Sequence, residues 1–148
     1  MALFTMGYEG LDGRRFLANL LHCGVDVVAD IRKLPISRKK GFSKTALKEM
    51  LNSRNIEYLN FQGLGAPKEI RDELYQSGNY SRFFNKYLKC IADKQDLLEA
   101  IHRLIHSGKN VSLLCFERNP DQCHRKVVAE QIIKIDGNGL EVKHIVPF

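Results

Sequence analysis

Two uninterrupted apolar segments constrain the fold of this chain more than any other feature. Residues 25–31 (VDVVADI) and 111–117 (VSLLCFE) are rich in Val, Leu and Ile, with little polar alternation. Strands buried on both faces have this composition, and they occur in parallel sheets that helices cover. Residues 3–8, 56–61 and 140–146 also have strand-like sequences. The pattern predicts a mainly parallel sheet of about five strands.

The segments between these strands carry apolar residues at helical spacing. Residues 16–21 and 43–51 each predict one amphipathic helix, and residues 68–107 predict three. Strands that alternate with helices favour a three-layer α/β architecture of the Rossmann-like type, with helices on both faces of the sheet. The length of the chain predicts one α/β domain over residues 1–148.

Composition limits the partners and the compartment. The net charge of +6 and the pI near 9.2 favour association with anions. No apolar run approaches the roughly 18 residues of a membrane span, and residues 1–10 lack the layout of a signal peptide. The four cysteines follow no small-scaffold disulfide pattern. We therefore expect a cytoplasmic protein with reduced thiols and no membrane partner.

The unusual clusters of the sequence all follow predicted strands. They occupy residues 7–10, 30–44, 63–67 and 117–125, one after each of the first four strands. The carboxyl ends of parallel strands meet at one edge of a sheet, and ligands bind in the crevice beyond that edge. The sequence therefore predicts one cleft that all four clusters line.

Residues 30–44 form a strongly basic loop. After Asp30 the loop contains six basic residues and no acidic one. Arg32 and Arg38 have guanidinium groups that suit bidentate binding of phosphate. Phe42 can bring a ring to a base, or else it packs the loop onto the core. A solvated basic loop without a ligand is the alternative. The candidate anion- or substrate-binding residues of the whole cleft are Tyr8, Asp30, Arg32, Arg38, Phe42, Ser43, Lys44, His124 and Arg125.

Residues 111–125 predict a strand, a tight turn and the start of a helix. Asn119 suits the N-cap, and Pro120 suits the first helical position. This places Cys123 in the first helical turn, where free backbone N–H groups and adjacent cations bind anions and lower the pKa of a thiol. Cys123 is therefore the candidate nucleophile, and Glu117, which leaves the strand beside it, is the candidate general base.

The same residues allow two other chemistries. Cys115, Cys123 and His124 have the side chains of a zinc site, but a fourth ligand and the short C-x-x-C pair are absent. A reversible disulfide between Cys115 and Cys123 is also possible, because a strand end and the next helix start are neighbours. We expect no metal and no cofactor. The spacing of Cys115 and Cys123 from Arg125 does not fit a cysteine phosphatase.

Four motifs together resemble a known family. They are TMGYEG (5–10), DIRKLPISRKKGFSKTAL (30–47), GLGAP (63–67) and CFERNPDQCHR (115–125). They resemble the bacterial and archaeal domain-of-unknown-function family 488. The resemblance implies a cytoplasmic α/β domain whose activity is not established. It gives these characteristic positions: Gly7, Tyr8, Asp30, Arg32, Ser37, Arg38, Phe42, Ser43, Lys44, Gly65, Cys115, Glu117, Pro120, Cys123, His124 and Arg125.

The functional hypothesis is a site for an anion at the carboxyl edge of the sheet. We expect the protein to bind a phosphorylated or nucleic-acid-like substrate and, if it is an enzyme, to act on it. Its expected partner is an anionic small molecule or a nucleic acid. Two alternatives stay open. One is a non-catalytic module that binds nucleotides or nucleic acid with the same basic edge, and the other is a thiol redox or metal sensor.

Overall fold

The computed structural model describes residues 2–148. Its strands are β1 (Leu3–Gly7), β2 (Val27–Asp30), β3 (Glu57–Asn60), β4 (Val111–Cys115) and β5 (Val142–His144). Its α-helices are α1 (Gly13–His22), α2 (Lys44–Asn52), α3 (Lys68–Ser77), α4 (Tyr80–Cys90), α5 (Gln95–His106) and α6 (Arg125–Asp136). Short 3-10 turns span Gln62–Leu64 and Pro120–Gln122. In this part of the chain, no helix has the length and apolarity needed to cross a bilayer.

The five strands form one sheet in the order β3-β2-β4-β1-β5, and every neighbouring pair is parallel. β4 lies at the centre, where Val111 pairs with Leu3 of β1 on one side and with Val27 of β2 on the other. All five residues of β4 are buried, as its continuous apolar sequence predicts. The predicted parallel sheet of about five strands is confirmed.

Helices cover both faces of the sheet. On one face, α4, α5 and α6 pack on side chains such as Val27, Val111 and Leu113. On the other face, α1 and α2 pack on Phe4, Met6 and their neighbours. Because successive side chains of a strand point to opposite faces, each strand supplies both cores. The structure is thus the three-layer α/β fold that the sequence predicts.

The chain reverses its direction of winding between β1 and β4. β1 leads into α1 on one face of the sheet, whereas the neighbouring strand β4 leads into α6 on the other face. A crevice opens where adjacent strands send their connections to opposite faces, and ligands of open α/β sheets bind there. The topology therefore directs attention to the carboxyl ends of β1 and β4.

The helix predicted after β4 starts later than expected. Asn119 caps only the 3-10 turn Pro120–Gln122, where its side chain accepts a hydrogen bond from the backbone of Asp121. The chain then becomes extended at Cys123 (φ −141°, ψ 144°), and α6 begins at Arg125. The prediction that Cys123 lies in the first helical turn was wrong. Asn119 caps only the 3-10 turn, and the chain leaves helical geometry at Cys123 before α6 begins.

The central strand provides a test of the core. Leu113 is fully buried on β4, so Leu113→Ala should lower the free energy of unfolding by about 2–5 kcal/mol through lost burial and a residual cavity. Leu88→Ala on α4 is the matched control, since that side chain is 39% exposed and its loss should cost no more than about 1 kcal/mol. Urea unfolding measures both, and equal losses would contradict the layer assignment.

Candidate functional site

A cavity of about 240 Å³ opens at the carboxyl edge of the sheet. Five residues that the sequence predicted for the site line it: Tyr8, Arg32, Glu117, Cys123 and His124. Further lining residues include Lys33, Leu34, Ile36, Ala66, Arg71, Tyr75, Cys115 and Phe116. The clusters after the first four strands therefore meet at one cavity. Helix α3 adds Arg71 and Tyr75 to the lining of the cavity.

Arg32 forms a buried ion pair with Asp30 at the end of β2. Its Nε and Nη2 atoms donate to the two carboxylate oxygens of Asp30 at 2.9 and 2.8 Å, and its Nη1 donates to the carbonyl of Phe42 at 2.6 Å. Asp30 is fully buried and also accepts a hydrogen bond from Tyr58. Burial lowers the pKa of Arg32, but hydrogen bonds and attraction from Asp30 outweigh it and hold that pKa above its ordinary value.

This pairing changes the role expected for Arg32. The bidentate face that was predicted to bind phosphate is already occupied by a carboxylate. Arg32 also donates to the hydroxyl of Tyr8 at 3.3 Å and lies over its ring, 5.4 Å from the centroid. Arg32 therefore holds Tyr8 and the loop of Phe42 against the end of β2. Only the part of the Arg32 side chain that is not used in these contacts faces the cavity.

Phe42 is a core residue. Its ring is fully buried, stacks on Tyr8 with a centroid distance of 4.5 Å and meets the edge of Phe16 at 5.2 Å. Contact between Phe42 and a base, as the sequence suggested, would require this ring to leave the core. Tyr8 itself is only 3% exposed and also contacts Phe116 edge to face. The stack supports the wall of the cavity from behind.

Six of the nine predicted anion-binding residues do not line the cavity: Asp30, Phe42, Arg125 and the three residues Arg38, Ser43 and Lys44. Arg38 and Lys44 point to solvent on the basic loop and at the start of α2. The hydroxyl of Ser43 exchanges hydrogen bonds with the backbone of Ser37, at 2.9 Å and 3.2 Å, and thereby closes the loop. The basic loop thus folds over Phe42, so most of its charge lies outside the cavity.

Arg125 is fully buried and acts as a brace behind the cavity. Its guanidinium donates to Thr5 on β1 at 3.1 Å and to the carbonyl oxygens of Glu117 and Arg118. Within residues 2–148 it has no carboxylate at ion-pair distance. Burial lowers the pKa of Arg125 to about 10, so it stays charged at neutral pH. Its donors are used by the fold and are not free for phosphate.

The two cysteines of the site are joined. A disulfide links Cys115 at the end of β4 to Cys123 in the turn before α6. Cys123 is 2% exposed, and its sulfur accepts the backbone N–H of Arg125 at 3.4 Å. The carbonyl of Cys123 accepts the next N–H, from Lys126. In this form, which is the disulfide alternative drawn from the sequence, Cys123 has no thiolate, and the first two N–H groups of α6 have acceptors within the protein.

His124 is buried with a defined orientation. Its Nε2 lies 2.9 Å from the carbonyl of Ile31, which can only accept, so the hydrogen of the neutral ring belongs on Nε2. Burial lowers the pKa of His124 to about 4, and the charges of Arg125 and Arg71 oppose protonation as well. The unprotonated Nδ1 faces the sulfur of Cys123 at 3.9 Å. His124 is therefore a neutral donor of a lone pair at neutral pH.

Glu117 is the acidic group of the cavity. Burial raises the pKa of its carboxyl group, an effect that Arg125 and Arg71 partly offset. Its Oε2 lies 3.4 Å from the sulfur of Cys115. A Cβ atom at Gly7 would stand 1.8 Å from the carbonyl oxygen of Glu117, so only glycine lets the end of β1 pass this close. Gly7 and Arg125 together fix where Glu117 enters the cavity.

Arg71 is the cavity residue that the sequence did not single out. It lines the cavity from α3, and its Nε is buried without a hydrogen-bond partner. The side chain of Arg71 makes no hydrogen bond or ion pair among the described residues, whereas its backbone N–H donates to the carbonyl of Pro67 at the start of α3. α3 carries several charged residues and gives no periodic signal that separates this one. The position of α3 after β3, beside the carboxyl edge, was the only available indication.

The mouth of the cavity is apolar. Four large side chains there are exposed: Leu34, Ile36, Tyr75 and Phe116, at 57, 76, 74 and 45%. They come from the basic loop, from α3 and from the segment after β4. Exposed apolar groups that rim a concave site are typical of ligand-binding surfaces. The site therefore combines a polar floor with an apolar entrance.

The buried ion pair gives a stability prediction. Asp30→Asn should lower the free energy of unfolding by about 3–5 kcal/mol, because it leaves the buried charge of Arg32 unpaired. Asp72→Asn is the matched control, since it removes a partner of Lys68 from a largely exposed pair and should cost about 0.3–0.5 kcal/mol. Denaturant unfolding measures both. A small loss for Asp30→Asn would show that Arg32 does not depend on this carboxylate.

Glu117 gives a pH prediction. The folded protein binds the proton of Glu117 more tightly than the unfolded chain, so stability falls as pH rises from the ordinary pKa of 4.5 through the raised one. Glu117→Gln should remove that loss and become more stable than wild type above this window. Urea unfolding of the disulfide form between about pH 4 and 8, with a chelator present to remove metal ions, tests this prediction. Glu57→Gln, at an exposed position, controls for the lost charge. A constant difference at all pH values would contradict the prediction.

Comparison with known proteins gives one family. The family model described as "Domain of unknown function DUF488" matches residues 12–132, which is most of the 148-residue chain. No curated protein and no solved structure matches significantly. The matched range begins just before α1 and includes the ion pair of β2, the loop after β4 and most of α6. The chain belongs to the DUF488 family.

Proposed function

We propose that the cavity binds a phosphorylated or nucleic-acid-like anion, and that Arg71 is its principal anchor. One observation carries the proposal: Arg71 brings a guanidinium group without a hydrogen-bond or ion-pair partner in residues 2–148 to a concave site. A buried N–H donor that finds no acceptor in the protein costs free energy, and a ligand oxygen would repay it. Guanidinium groups bind phosphate with paired, charge-assisted hydrogen bonds.

The charge balance of the lining favours an anion. Among the described residues that line the cavity, the cations are Arg32, Lys33 and Arg71, and the carboxylate is Glu117. Asp30 neutralises Arg32 from behind, so two cations, Lys33 and Arg71, remain against one acidic group, Glu117. His124 is neutral and adds no charge. The excess of positive charge is therefore local to the cavity and does not depend on the net charge of the chain.

The apolar mouth points to a ligand that is more than an inorganic ion. Tyr75 and Phe116 offer exposed aromatic faces beside the cation, and Ile36 offers an apolar one. Nucleotides combine a phosphate with a base that stacks on aromatic side chains. The cavity, at about 240 Å³, is slightly smaller than the usual small-molecule pocket of ~300–1,000 Å³. It suits one nucleotide-sized group whose base lies at the entrance.

The structure suggests a division of labour that differs from the sequence-based hypothesis. Arg71 and Lys33 hold the anion. Arg32 and Arg125 position the walls, since their donors are used within the protein. If the protein is an enzyme, acid–base work falls to Glu117 by position, because it alone among the described lining residues has a carboxyl group. If it is not, the same cavity is a nucleotide- or nucleic-acid-binding module.

Binding by Arg71 can be measured directly. The probes are a fluorescein-labelled single-stranded oligonucleotide and a nucleoside monophosphate. Arg71→Ala should weaken binding of either at least about tenfold, because a charge-assisted hydrogen bond contributes ~1.5–3 kcal/mol. It should also reduce the salt dependence of oligonucleotide binding by about one phosphate contact. The fold should be unaffected, since the side chain of Arg71 has no polar partner among the described residues.

Arg103→Ala is the matched control. Arg103 is exposed in the last turn of α5, which leads to the opposite end of the sheet, so its loss removes the same charge away from the cavity. An equal effect of both variants, or affinity that ignores salt and Arg71, would contradict the proposal. Glu117→Gln then separates the two versions of the function: an enzyme loses turnover and keeps binding, whereas a module has no turnover to lose.

A further inference from the structure

The buried side chains of Cys115, Cys123 and His124 converge at one point of the cavity wall. One potential ligand atom from each residue lies within 4.8 Å of the other two. The three side chains come from the end of β4, from the turn after it and from the residue that precedes α6. Two sulfurs and one imidazole nitrogen are a donor set that selects borderline-soft cations such as Zn²⁺.

We propose that in the reduced protein Cys115, Cys123 and His124 form a site for Zn²⁺ or a similar divalent cation. This goes beyond anion binding at the same cavity and does not depend on it. No fourth ligand is evident from the sequence, so the sequence favoured no metal. In the structure, however, all three side chains line the cavity, so the fourth position faces a space that water, a substrate oxygen or Glu117 can reach. Three protein ligands and one open position are the arrangement of catalytic zinc sites.

The orientation of His124 supports the site. Its Nε2 donates to the carbonyl of Ile31 at 2.9 Å, which leaves the Nδ1 lone pair pointing toward the sulfur of Cys123 at 3.9 Å. Histidines that bind metals generally donate their other ring N–H to a carbonyl or carboxylate, and this contact fixes both tautomer and ring orientation. The ring also packs edge to face against Tyr87 at 5.2 Å. His124 is therefore preorganised as a ligand through Nδ1.

Both sulfurs lie beside N–H donors of Arg125. The guanidinium of Arg125 lies 3.5 Å from the sulfur of Cys115, and the backbone N–H of Arg125 donates to the sulfur of Cys123 at 3.4 Å. Two thiolates neutralise the charge of a divalent cation. If Glu117 adds a third negative charge, Arg125 compensates for it from behind. Each sulfur thus has an N–H donor from Arg125, and outer partners of this kind orient the ligands of metal sites.

The backbone spacing also suits an ion between the cysteines. The Cα atoms of Cys115 and Cys123 are 7.5 Å apart, beyond the ~4.4–6.8 Å usual for a disulfide. Two Zn–S bonds of about 2.3 Å at a tetrahedral angle would hold the sulfurs ~3.8 Å apart, which is compatible with a wider separation of the backbones.

The disulfide and the metal exclude each other. A dithiol reductant supplies two electrons, which break the S–S bond, and each sulfur takes one proton while the reductant becomes its own disulfide. Binding of the cation then displaces both protons to solvent. In the reverse direction a disulfide oxidant accepts the two electrons and becomes a dithiol, the S–S bond forms again and the ion is released.

Anaerobic titration of the reduced protein with Co²⁺ tests the proposal without any phosphorylated ligand. We expect one Co²⁺ per chain, visible absorption typical of tetrahedral cobalt, a near-ultraviolet thiolate-to-cobalt band and displacement by Zn²⁺. His124→Ala should weaken binding by at least ~100-fold, because losing a ligand should exceed the ~10–100-fold cost of losing a partner of a ligand. Cys115→Ser and Cys123→Ser should each remove the charge-transfer band or halve it.

The other two cysteines provide the control. Cys23 and Cys90 are free and lie outside the cavity, so the double variant Cys23→Ser, Cys90→Ser should bind Co²⁺ as wild type does. The proposal is overturned if reduced, folded wild type gives no tetrahedral cobalt spectrum, or if only the Cys23, Cys90 variant loses it. Cys115 and Cys123 would then be a redox-active dithiol without a metal site. The wild-type titration decides even if a ligand variant fails to fold, and a negative result leaves binding by Arg71 untouched.

Discussion

The buried guanidinium of Arg125 is the interaction on which the site depends. It enters from the first residue of α6 and reaches Thr5 on β1 and the carbonyl oxygens of the segment after β4. A buried charge without a carboxylate is stable only if its donors are satisfied, and here backbone and hydroxyl oxygens satisfy them. Because those oxygens belong to Glu117, Arg118 and Thr5, the same contacts tie two strand ends and a helix start together.

This brace determines the chemistry of the cavity indirectly. It holds Glu117 at the wall, where burial raises the pKa of its carboxyl group, and it places N–H donors beside both sulfurs. Asp30 and Arg32 perform a similar structural task at the end of β2. Arg32 and Arg125, two of the most conspicuous cations in the motifs, thus maintain the shape of the site. The guanidinium group without a partner is that of Arg71 on α3. In such a site the residues that shape the cavity and those that bind its ligand are different sets.

Anion binding and metal binding are compatible at one cavity. Arg71 and Lys33 provide positive charge at the polar floor, and the cysteines and His124 provide a soft ligand set in the wall. A divalent cation with an open position can polarise a phosphoryl oxygen held by a nearby arginine. In the disulfide form the proposed anion site keeps its charge and the proposed metal ligands are lost. The redox state of Cys115 and Cys123 would therefore decide whether a metal ion can polarise an anion that the cavity binds.

The sequence by itself determined the architecture and the edge of the sheet where the site lies. Continuous apolar strands such as residues 111–117 and alternating helical segments allow little except a covered parallel sheet, and parallel strands bring their ends together. Which side chains face the cavity was decided by tertiary structure. Arg32 was paired by Asp30, Phe42 entered the core and Cys123 preceded its helix. Asp30 and Arg32 are only two residues apart, but they are buried as a pair by contacts with Tyr8 and Tyr58, 24 and 28 residues away. Local patterns cannot report such contacts, or that of Thr5 with Arg125 across 120 residues, because these partners meet only when the layers close.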